Sequence, residues 1–424
     1  MGRAGSVPFA PEGCDVAIAG ASFAGLAVAL QLRGRVLLLD HRPVGEGQTS
    51  ACGTTLAALR ALDALDTVQQ IHEELVLHLT PARGAERVLR YHLPYAFCTF
   101  DYRSLCRLLA NRAARQGVQL VQARALGWRA GALQTDLGPV KARRVVDATG
   151  WRAAVAGAVD PTYVRRDQLS CGLEAELPQP AANRTQGLHF WAGRGTIWPG
   201  YAWSFPCGAT SRLGVIAYPE RQEATDKRPG REPQLPTSDG RGERRRPSTL
   251  DPRTPTSKRL REALDAFLDG PGAPYWSANG EAAWQPGGGT PTAGRHLHGG
   301  FLPTAPRRPV VGPIFAVGDA AGHCFGLTGE GIRPALAFAV RCGQLLQGTI
   351  DGSLTPDQAR AAYTRYVALR APYFYLMRLL QRLLSRLPDW GLAQYSRCAA
   401  PGPIFRFLLG QYRWPADPAP LLAP

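Results

Sequence analysis

The stretch DVAIAGASFAGLAVALQLRGRVLLLD, residues 15–40, decides the fold of this chain. Its pattern predicts a strand over 15–20, a turn of small residues, a helix over 23–33, and a second strand over 35–39 that ends on Asp40. A strand, turn, helix, strand and acid in this order form a dinucleotide-binding βαβ unit. An ordinary buried βαβ unit is the alternative, and the placed acid favours the nucleotide.

Each residue of the turn has its own physical role. Gly20 permits a sharp exit from the strand, and Gly25 lets the helix pack closely on the sheet. The helix N-terminus offers unpaired N–H groups to a pyrophosphate. Asp40 can accept hydrogen bonds from ribose hydroxyls. Ser22 stands where the G-x-G-x-x-G fingerprint has its middle glycine, so the match is weaker although the side chain stays small.

The composition bounds the class of protein. With 424 residues and 45% apolar content, the chain can form about two domains with large cores. Its 49 basic and 33 acidic residues give a net charge of +16, but only Lys141, Lys227 and Lys258 are lysines. This arginine bias indicates genome composition, and without a nucleic-acid motif we expect no nucleic-acid partner. A basic surface could still favour anionic membranes or substrates.

The cysteines and the apolar segments indicate a reduced, cytoplasmic setting. The nine cysteines include no C-x-x-C pair, which predicts free thiols and no metal site, and His296 and His298 are too isolated to be ligands. No apolar run is long enough to cross a bilayer. The first residues do not resemble a secretory signal.

The middle of the chain predicts a second, antiparallel domain. Residues 160–218 alternate as strands do and are rich in aromatic residues. Tyr201, Trp203 and Phe205 share one face by the period of two, either as the wall of a pocket for an apolar or flat substrate or as a core face. Residues 219–258 are rich in proline and charge, which predicts a flexible insertion.

Two further residues are candidates with an open alternative. Cys52 lies in a Gly-rich loop after Asp40, either as a thiol near a reacting centre or as a small buried residue at a turn. Arg103 follows a predicted N-cap, Asp101, in the first turn of a helix that ends at Gly117. A cation is unfavourable there on dipole grounds, which indicates a cofactor phosphate or ribose as its partner, or a surface accident.

A second informative stretch, PIFAVGDAAGHCFGLTGEGIRPALAFAVRCG, covers residues 313–343. A predicted strand ends near Asp319, whose carboxylate can reach a polyol hydroxyl. Gly329 and Gly331 expose N–H groups before a helix that starts at Ile332, which suits the partial negative charge on a flavin pyrimidine edge.

These motifs resemble the FAD-dependent oxidoreductases with the aromatic-hydroxylase fold, and most of all their geranylgeranyl reductase-like branch. The matching pieces are AGASFAG with Asp40, Arg103 in DYRSL, DATG at 147–150, YAWSFP at 201–206 and GDAAGHCFGLTGEGI at 318–332. The resemblance implies a Rossmann-type FAD-binding domain with an antiparallel substrate domain and a helical C-terminal segment. The sequence departs from the family pattern at Ser22, at Asp40, where many members carry glutamate, and in the insertion over residues 219–258.

The resemblance also implies roles for individual residues. The expected FAD-binding residues are Gly20, Ser22, Ala24, Gly25, Asp40, Arg103, Ala125, Gly150, Asp319, Gly329, Gly331 and Ile332. Tyr201, Trp203 and Phe205 would line the substrate cavity, and members often carry a Cys-Gly near Cys52. NAD(P)H or another donor would reduce the flavin transiently, because no second glycine-rich fingerprint is present. The protein would position the substrate and the cofactor, and the cofactor would carry out the redox chemistry.

Three functions compete on this basis. The first is reduction of carbon–carbon double bonds in an apolar, isoprenoid-like substrate, the second is monooxygenation in a secondary-metabolite pathway, and the third is non-enzymatic flavin binding with membrane docking. A halogenase is disfavoured, since Lys141 is the only lysine before residue 227 and is no candidate for the lysine that such enzymes use.

The expected domains are an FAD domain over 1–155 and 300–350, a substrate domain over 156–299, and a helical segment over 351–424. Within that segment, Arg378, Arg382 and Arg386 fall on one helical stripe among leucines. Residues 372–387 could therefore contact an anionic membrane, or pack on the substrate domain with the arginines outward.

Overall fold

Two eight-stranded sheets and the helices that cover them form the described part of the chain. The structure, a computed structural model, describes residues 13–180, 187–219, 255–276, 297–391, 394 and 416–418. Its strands are β1 (Cys14–Ala19), β2 (Val36–Asp40), β3 (Gly53–Thr55), β4 (Val68–Leu79), β5 (Arg87–Phe100), β6 (Gln119–Gln122), β7 (Ala125–Arg129), β8 (Ala132–Thr135), β9 (Gly138–Asp147), β10 (Leu169–Pro178), β11 (Leu188–Gly193), β12 (Ile197–Cys207), β13 (Thr210–Ala217), β14 (Leu297–Pro303), β15 (Val310–Val311) and β16 (Ile314–Ala316). Its helices are α1 (Phe23–Ala29), α2 (Leu56–Ala61), α3 (Tyr102–Arg115), α4 (Ala156–Val159), α5 (Pro255–Asp269), α6 (Ile332–Ile350) and α7 (Pro356–Leu384).

The first sheet has the strand order β15-β16-β9-β1-β2-β6, with β8 and β7 attached beyond β9. Strands β16, β9, β1, β2 and β6 are parallel. A parallel sheet needs cover on both faces, which explains the near-continuous apolar runs of β1 and β2. Helices α1, α3 and α6 share one large core, in which Leu26, Leu109 and Phe338 are buried. The predicted Rossmann-type α/β sheet is confirmed.

Helix α1 is shorter than the sequence pattern predicts. It begins at Phe23, as expected, but ends at Ala29 and not at Arg33. Just beyond it, two backbone N–H groups bond to carbonyls three residues back, which tightens the last turn. Gly34, at φ 128°, then turns the chain into β2. The apolar pattern continues past the point where the helical hydrogen bonds change, so the sequence overestimates the helix.

The second sheet has the order β14-β10-β13-β12-β11-β4-β5-β3. All of its neighbouring strands are antiparallel, as predicted, except β4 and β11, which are parallel. Helix α5 covers one face and buries Leu260, Leu264 and Phe267. The opposite face is directed at the first sheet's motifs, and the cavity described below lies there.

The second sheet draws strands from two distant parts of the chain. Strands β3, β4 and β5 come from residues 53–100, before the boundary at residue 155, and β10–β14 come after it. The division into domains stays a prediction, but the two sheets are built from interleaved segments. Strand β4 is not predicted by the sequence, because charged residues such as Glu73 and Glu74 interrupt its apolar pattern.

The predicted insertion needs one correction at its end. Residues 220–254 lie outside the described part of the chain, as does His296. The last four residues of the predicted insertion, 255–258, belong to α5. Proline is favoured in the first turn of a helix, which is why Pro255 can start this helix and not a loop.

Helix α7 packs on the core of the first sheet and reaches the loop before α6. A capping box between Thr355 and Gln358 starts it. Phe374 packs in the core of the first sheet, and Gln381 Nε2 donates to the Gly326 carbonyl over 2.7 Å. Leu376, Leu379 and Leu383 remain about half exposed, beside exposed arginines. Among the described residues, we find no helix with the length and apolar content that a bilayer crossing needs.

Candidate functional site

The turn after β1 is packed too closely for any side chain at its glycines. A Cβ atom at Gly25 would lie 1.8 Å from the Gly20 carbonyl oxygen, and one at Gly20, which has φ 106°, would lie 2.2 Å from the Ala148 oxygen. The start of α1 is therefore pressed against the ends of β1 and β9. Its first N–H groups lack partners inside the helix, as at every helix N-terminus, and they point out of the sheet edge.

Ser22 is the N-cap of α1, but its hydroxyl makes no capping bond to the helix. It instead accepts a hydrogen bond from the Tyr102 hydroxyl over 3.3 Å. Tyr102 is the first residue of α3, so this contact links the turn to the helix that carries Arg103. The missing middle glycine is thus replaced by a side chain that has a partner of its own.

Asp40 is fixed at the same edge as an ionised carboxylate. Its oxygens accept hydrogen bonds from the Ala21 N–H over 2.8 Å and the Arg42 N–H over 3.0 Å. Burial alone would raise the pKa of Asp40, but the His41, Ala21 and Arg42 bonds outweigh it, and the pKa lies below its usual range. The Asp40 carbonyl accepts from Ala123 N–H, which places the start of β7 beside it.

Arg103 and Ala125 lie away from the central cavity. Arg103 is exposed in the first turn of α3, where its backbone packs against Gly45. Ala125 pairs with Thr135 at the start of the β7–β8 hairpin, near the end of β2. The structure keeps both on the side of Asp40, and their predicted contact with the adenosine half of a cofactor stays a prediction.

Asp319 follows β16; Gly318 before it packs on Ala24 of α1, and the Asp319 carboxylate lies beside Gly331. Its carboxylate accepts no hydrogen bond from the residues that the structure describes. Burial raises its pKa to about 6, while Arg307 acts in the opposite direction. Arg307 itself donates to the carbonyls of Trp151, Asp319 and Ala320, which fixes the turn that carries the acid. A partly buried acid that accepts no hydrogen bond suits a ligand that brings hydroxyl groups.

The loop over 326–332 is held by the second sheet. The hydroxyl of Tyr201 donates to the Thr328 carbonyl, and that of Tyr218 donates to the Leu327 carbonyl over 2.6 Å. Gly329 has φ 67°, a conformation that favours glycine, and a Cβ atom there would lie 3.0 Å from the Tyr201 oxygen. One predicted substrate residue therefore also shapes the predicted flavin loop.

A cavity of about 320 Å³ joins these elements. Its walls include Ser22, Ala24, Gly150, Asp319, Gly329, Gly331 and Ile332 from the predicted cofactor residues, and Tyr201, Trp203, Phe205 and Cys52 from the others. Gly20, Gly25, Asp40, Arg103 and Ala125 are not among its walls. The remaining lining is largely aromatic and aliphatic, including Leu75, Leu93, Phe97, Leu188 and Phe190. The three aromatic residues of YAWSFP do share one face, and that face is a cavity wall.

Cys52 lies in this wall as a buried, neutral thiol. It has φ 52°, a strained conformation for a residue other than glycine, and its Sγ donates to the Ser50 carbonyl over 3.2 Å. Burial raises the pKa of Cys52 well above its usual range, although Arg212 acts in the opposite direction. All eight cysteines in the described part of the chain are buried and free, as the sequence predicts for these residues.

We expect Cys52 to resist alkylation in the folded protein, because only the thiolate reacts and burial disfavours it. Native protein is treated with iodoacetamide at pH 7.5, digested and examined by peptide mass spectrometry. The Cys52 peptide should stay unmodified until urea is added. Fast labelling of native Cys52 would contradict the buried, neutral state, and the same peptide labelled in urea serves as the control.

Three buried polar residues of this region, Asp147, Arg212 and Glu174, and the partly buried His298 have no role in the predictions made from the sequence. Asp147 accepts bonds from the N–H groups of Thr149, Val155 and Ala156 and so shapes the DATG turn. Arg212, Glu174 and His298 lie on β13, β10 and β14 of the second sheet. DATG could have directed attention to Asp147. Arg212, Glu174 and His298 come together only through strand pairing, so no pattern in the neighbouring sequence predicts their contact.

The comparisons with known proteins agree with this architecture. A geranylgeranyl bacteriochlorophyll reductase-like protein from Thermoplasma acidophilum superposes with a TM-score of 0.70 at 16% identity, covering 95% of this chain and 96% of that one. PqsL, a probable FAD-dependent monooxygenase from Pseudomonas aeruginosa, gives 0.57 at 16% identity, covering 88% and 95%. The FAD-dependent myxobacterial chondrochloren halogenase CndH gives 0.57 at 17% identity, covering 87% and 82%.

At these identities the likeness shows the fold, which is the aromatic-hydroxylase type of flavoprotein fold that the motifs predict. No protein-family model matches the chain, and no curated protein sequence matches it. The fold class predicted from the sequence is therefore confirmed.

Proposed function

We propose that the chain is an FAD-dependent oxidoreductase that reduces carbon–carbon double bonds of an apolar, isoprenoid-like substrate. The observation that carries the proposal is the continuity of the cavity. The turn at Ser22, the acid Asp319 and the loop at Gly329 open into the same space as Trp203 and Phe205. A cofactor held by the first three would share that space with a ligand held by the aromatic wall.

The residues present fit FAD. The turn excludes a Cβ atom at Gly20 and Gly25, as close backbone approach to a pyrophosphate requires. Asp319 is partly buried with no donor among the described residues, which suits a polyol chain. In this proposal the pyrophosphate and ribityl chain lie along Gly20, Ser22, Ala24, Gly25, Gly150 and Asp319, the adenosine half near Asp40, Arg103 and Ala125, and the ring at Gly329, Gly331 and Ile332.

The chain's own part in the reaction is placement and shielding. Bound FAD supplies the electron-transfer chemistry, and NAD(P)H or another donor reduces it transiently. Tyr201 holds the 328–332 loop against the second sheet through the Thr328 carbonyl. Phe190, Trp203 and Phe205 form edge-to-face and tilted ring pairs that exclude water from the substrate side.

The apolar lining supports an isoprenoid-like substrate. Leucine and phenylalanine side chains from β4, β5, β11 and β12 surround the cavity, with Glu174 as an acid among them. The superposition on a reductase-like protein over nearly the whole chain supports the same class. Such a pocket gains affinity from apolar area and takes its specificity from a few polar groups.

Monooxygenation is the second candidate. The same aromatic wall suits a flat ring, and PqsL, a probable FAD-dependent monooxygenase, shares the fold. Halogenation stays disfavoured, because no lysine is among the residues that line the described cavity. Non-enzymatic flavin binding is the third reading.

One experiment separates these readings. The purified protein is loaded with FAD, reduced with dithionite without oxygen and incubated with geranylgeraniol in detergent. A product heavier by pairs of hydrogen atoms supports reduction. A product heavier by one oxygen atom, formed only in air, would replace reduction by monooxygenation, and protein that takes up no FAD would overturn every enzymatic reading.

We also propose that residues 372–387 contact anionic membranes, which would suit a prenyl-chain substrate. Leu376, Leu379 and Leu383 are exposed on α7, with exposed Arg382 and Arg386 beside them.

Flotation with vesicles that contain 30% phosphatidylserine should recover the protein at low salt and less of it at 0.5 M NaCl. The double variant Leu379→Ser, Leu383→Ser should lose most of this binding. Leu126→Ser, at an exposed leucine far from α7 in sequence, is the matched control and should float as the unaltered protein does. Equal flotation of all three proteins would remove the proposal.

A further inference from the structure

A row of paired residues crosses the second sheet under the cavity. Trp203 on β12 is paired with Gly214 on β13, Gly214 with Glu174 on β10, and Glu174 with His298 on β14. Cross-strand neighbours project from the same face, so all four share the cavity side. The register of these four strands therefore places Glu174 between the indole of Trp203 and the imidazole of His298.

Gly214 makes the contact across this row possible. A Cβ atom there would lie 2.2 Å from Trp203 Cζ2. The indole consequently lies over the backbone of β13 and reaches the next strand, where Trp203 Nε1 donates to Glu174 Oε2 over 2.7 Å. An aromatic residue of the substrate wall is thus hydrogen-bonded to a carboxyl group two strands away.

The other carboxyl oxygen meets an imidazole. Glu174 Oε1 lies 2.7 Å from His298 Nε2. Gln48 Nε2 lies 3.2 Å from the same imidazole nitrogen, at the start of the loop that carries Cys52. Glu174 Oε1 makes no hydrogen bond with the described residues in this arrangement, so it is the carboxyl oxygen that can carry a proton, and the imidazole lies close enough to exchange that proton. The row therefore extends from the cavity wall to a group that can exchange protons.

The setting keeps this proton available near neutral pH. Glu174 is buried, with 3% of its surface exposed, and it lines the cavity. The charged or titratable groups around it are Arg212 on β13, Glu176 on β10, His298 on β14, and the thiols of Cys52 before β3 and Cys207 at the end of β12. Burial raises the pKa of Glu174 to about 7, while Arg212 and the bond from Trp203 act in the opposite direction.

A purely structural role does not require an acid here. The N–H of Trp203 needs one acceptor, which a glutamine or a backbone carbonyl provides without the desolvation cost of a carboxylate. A buried carboxyl group with a shifted pKa, placed in a cavity wall beside a specific partner, is typical of acid–base sites.

We propose that Glu174 is the proton donor of this cavity and that His298 restores its proton. The proposal rests on the proposed reductase function. In the step we infer, the O–H bond of Glu174 breaks as a new C–H bond forms at one carbon of the substrate double bond. The other carbon receives a hydride, with reduced flavin as the named reductant. Both electrons come with the hydride, and the Glu174 carboxylate regains a proton from His298, which takes one from solvent.

The rate of product formation should fall as pH rises, because only the protonated form of Glu174 can donate a proton. Product formation should be constant below pH 6 and should fall about tenfold per pH unit well above the pKa of Glu174. Loss of the acid group, in Glu174→Gln, should lower product formation by about 10²–10³-fold and remove this pH dependence. Glu74→Gln, an exposed acid on β4, is the matched control and should change neither.

Two readouts do not depend on the substrate. Glu174→Gln should take up FAD and be reduced by dithionite as the unaltered protein is, since glutamine can still accept the Trp203 bond. The tryptophan fluorescence that Trp203→Phe removes should change with a midpoint near pH 7 in the unaltered protein. In Glu174→Gln that transition should be absent between pH 5 and 9.

The outcomes separate the two proposals. If the unaltered protein forms no reduced product, the proposed function fails, and the donor role falls with it whatever the fluorescence shows. If product forms but Glu174→Gln keeps more than half of the rate with the same pH profile, the donor role alone is overturned. A missing fluorescence transition in the unaltered protein also overturns it.

Discussion

Gly25→Ala should leave the protein without FAD and lower its free energy of unfolding by about 3 kcal/mol. The new Cβ atom would lie 1.8 Å from the carbonyl oxygen and 3.0 Å from the carbonyl carbon of Gly20, and both of these atoms belong to the backbone. The start of α1 must therefore move away from β1. That movement takes the N–H groups of the turn out of line with a pyrophosphate.

Flavin absorbance per chain after gel filtration, together with urea unfolding, measures both effects. Gly157→Ala is the matched control, because this glycine also lies in a short helix, and a Cβ atom there meets only the Arg152 carbonyl oxygen, at 3.5 Å. The control should keep its FAD and match or exceed the unaltered stability. Full flavin content in Gly25→Ala would show that the turn is not where the cofactor is held.

Arg212→Met should destabilise the fold by about 3–5 kcal/mol, since a buried ion pair loses one partner. Arg212 is 1% exposed and donates to the carbonyls of Ala51 and Phe100, each over 3.1 Å. It also donates to Glu176 and Gln69. Methionine fills a similar volume but leaves these acceptors buried without a donor.

The loss should extend to the cavity, because the Ala51 carbonyl directly precedes Cys52 and its strained backbone. Urea unfolding gives the stability, and native alkylation of Cys52 reports whether the turn has opened. Arg90→Met, which removes an exposed ion pair with Glu74 in the same sheet, should cost less than about 1 kcal/mol. Equal destabilisation by the two variants would contradict the role given to Arg212.

The sequence predicts a feature when the residues that form it lie close together along the chain. Gly20, Gly25 and Asp40 lie within one βαβ unit, and Asp319 lies at the end of one strand, so their placement can be read from neighbours along the chain. The aromatic face of β12 follows from the period of two. These features involve hydrogen bonds and packing within a few residues or a single unit.

Glu174, His298 and Arg212 could not be found in this way. Their meeting depends on the register of strands separated by up to 124 residues, and a slip of one residue would turn each side chain to the opposite face. His296 and His298 are too isolated in the sequence to predict a ligand site there. The length of α1 was missed for a related reason, since apolar spacing does not record where backbone hydrogen bonds change.

Because Gly214 has no side chain, the Trp203 ring can lie flat against the backbone of β13, and its position there sets the depth of the cavity. A Cβ atom at this position would lie 2.2 Å from Trp203 Cζ2, so we expect a substitution to displace the indole from Glu174 and into the cavity. Such a substitution should restrict the cavity to shorter ligands, although Gly214 itself does not line the cavity. Position 214 would therefore affect ligand length only through the position of Trp203.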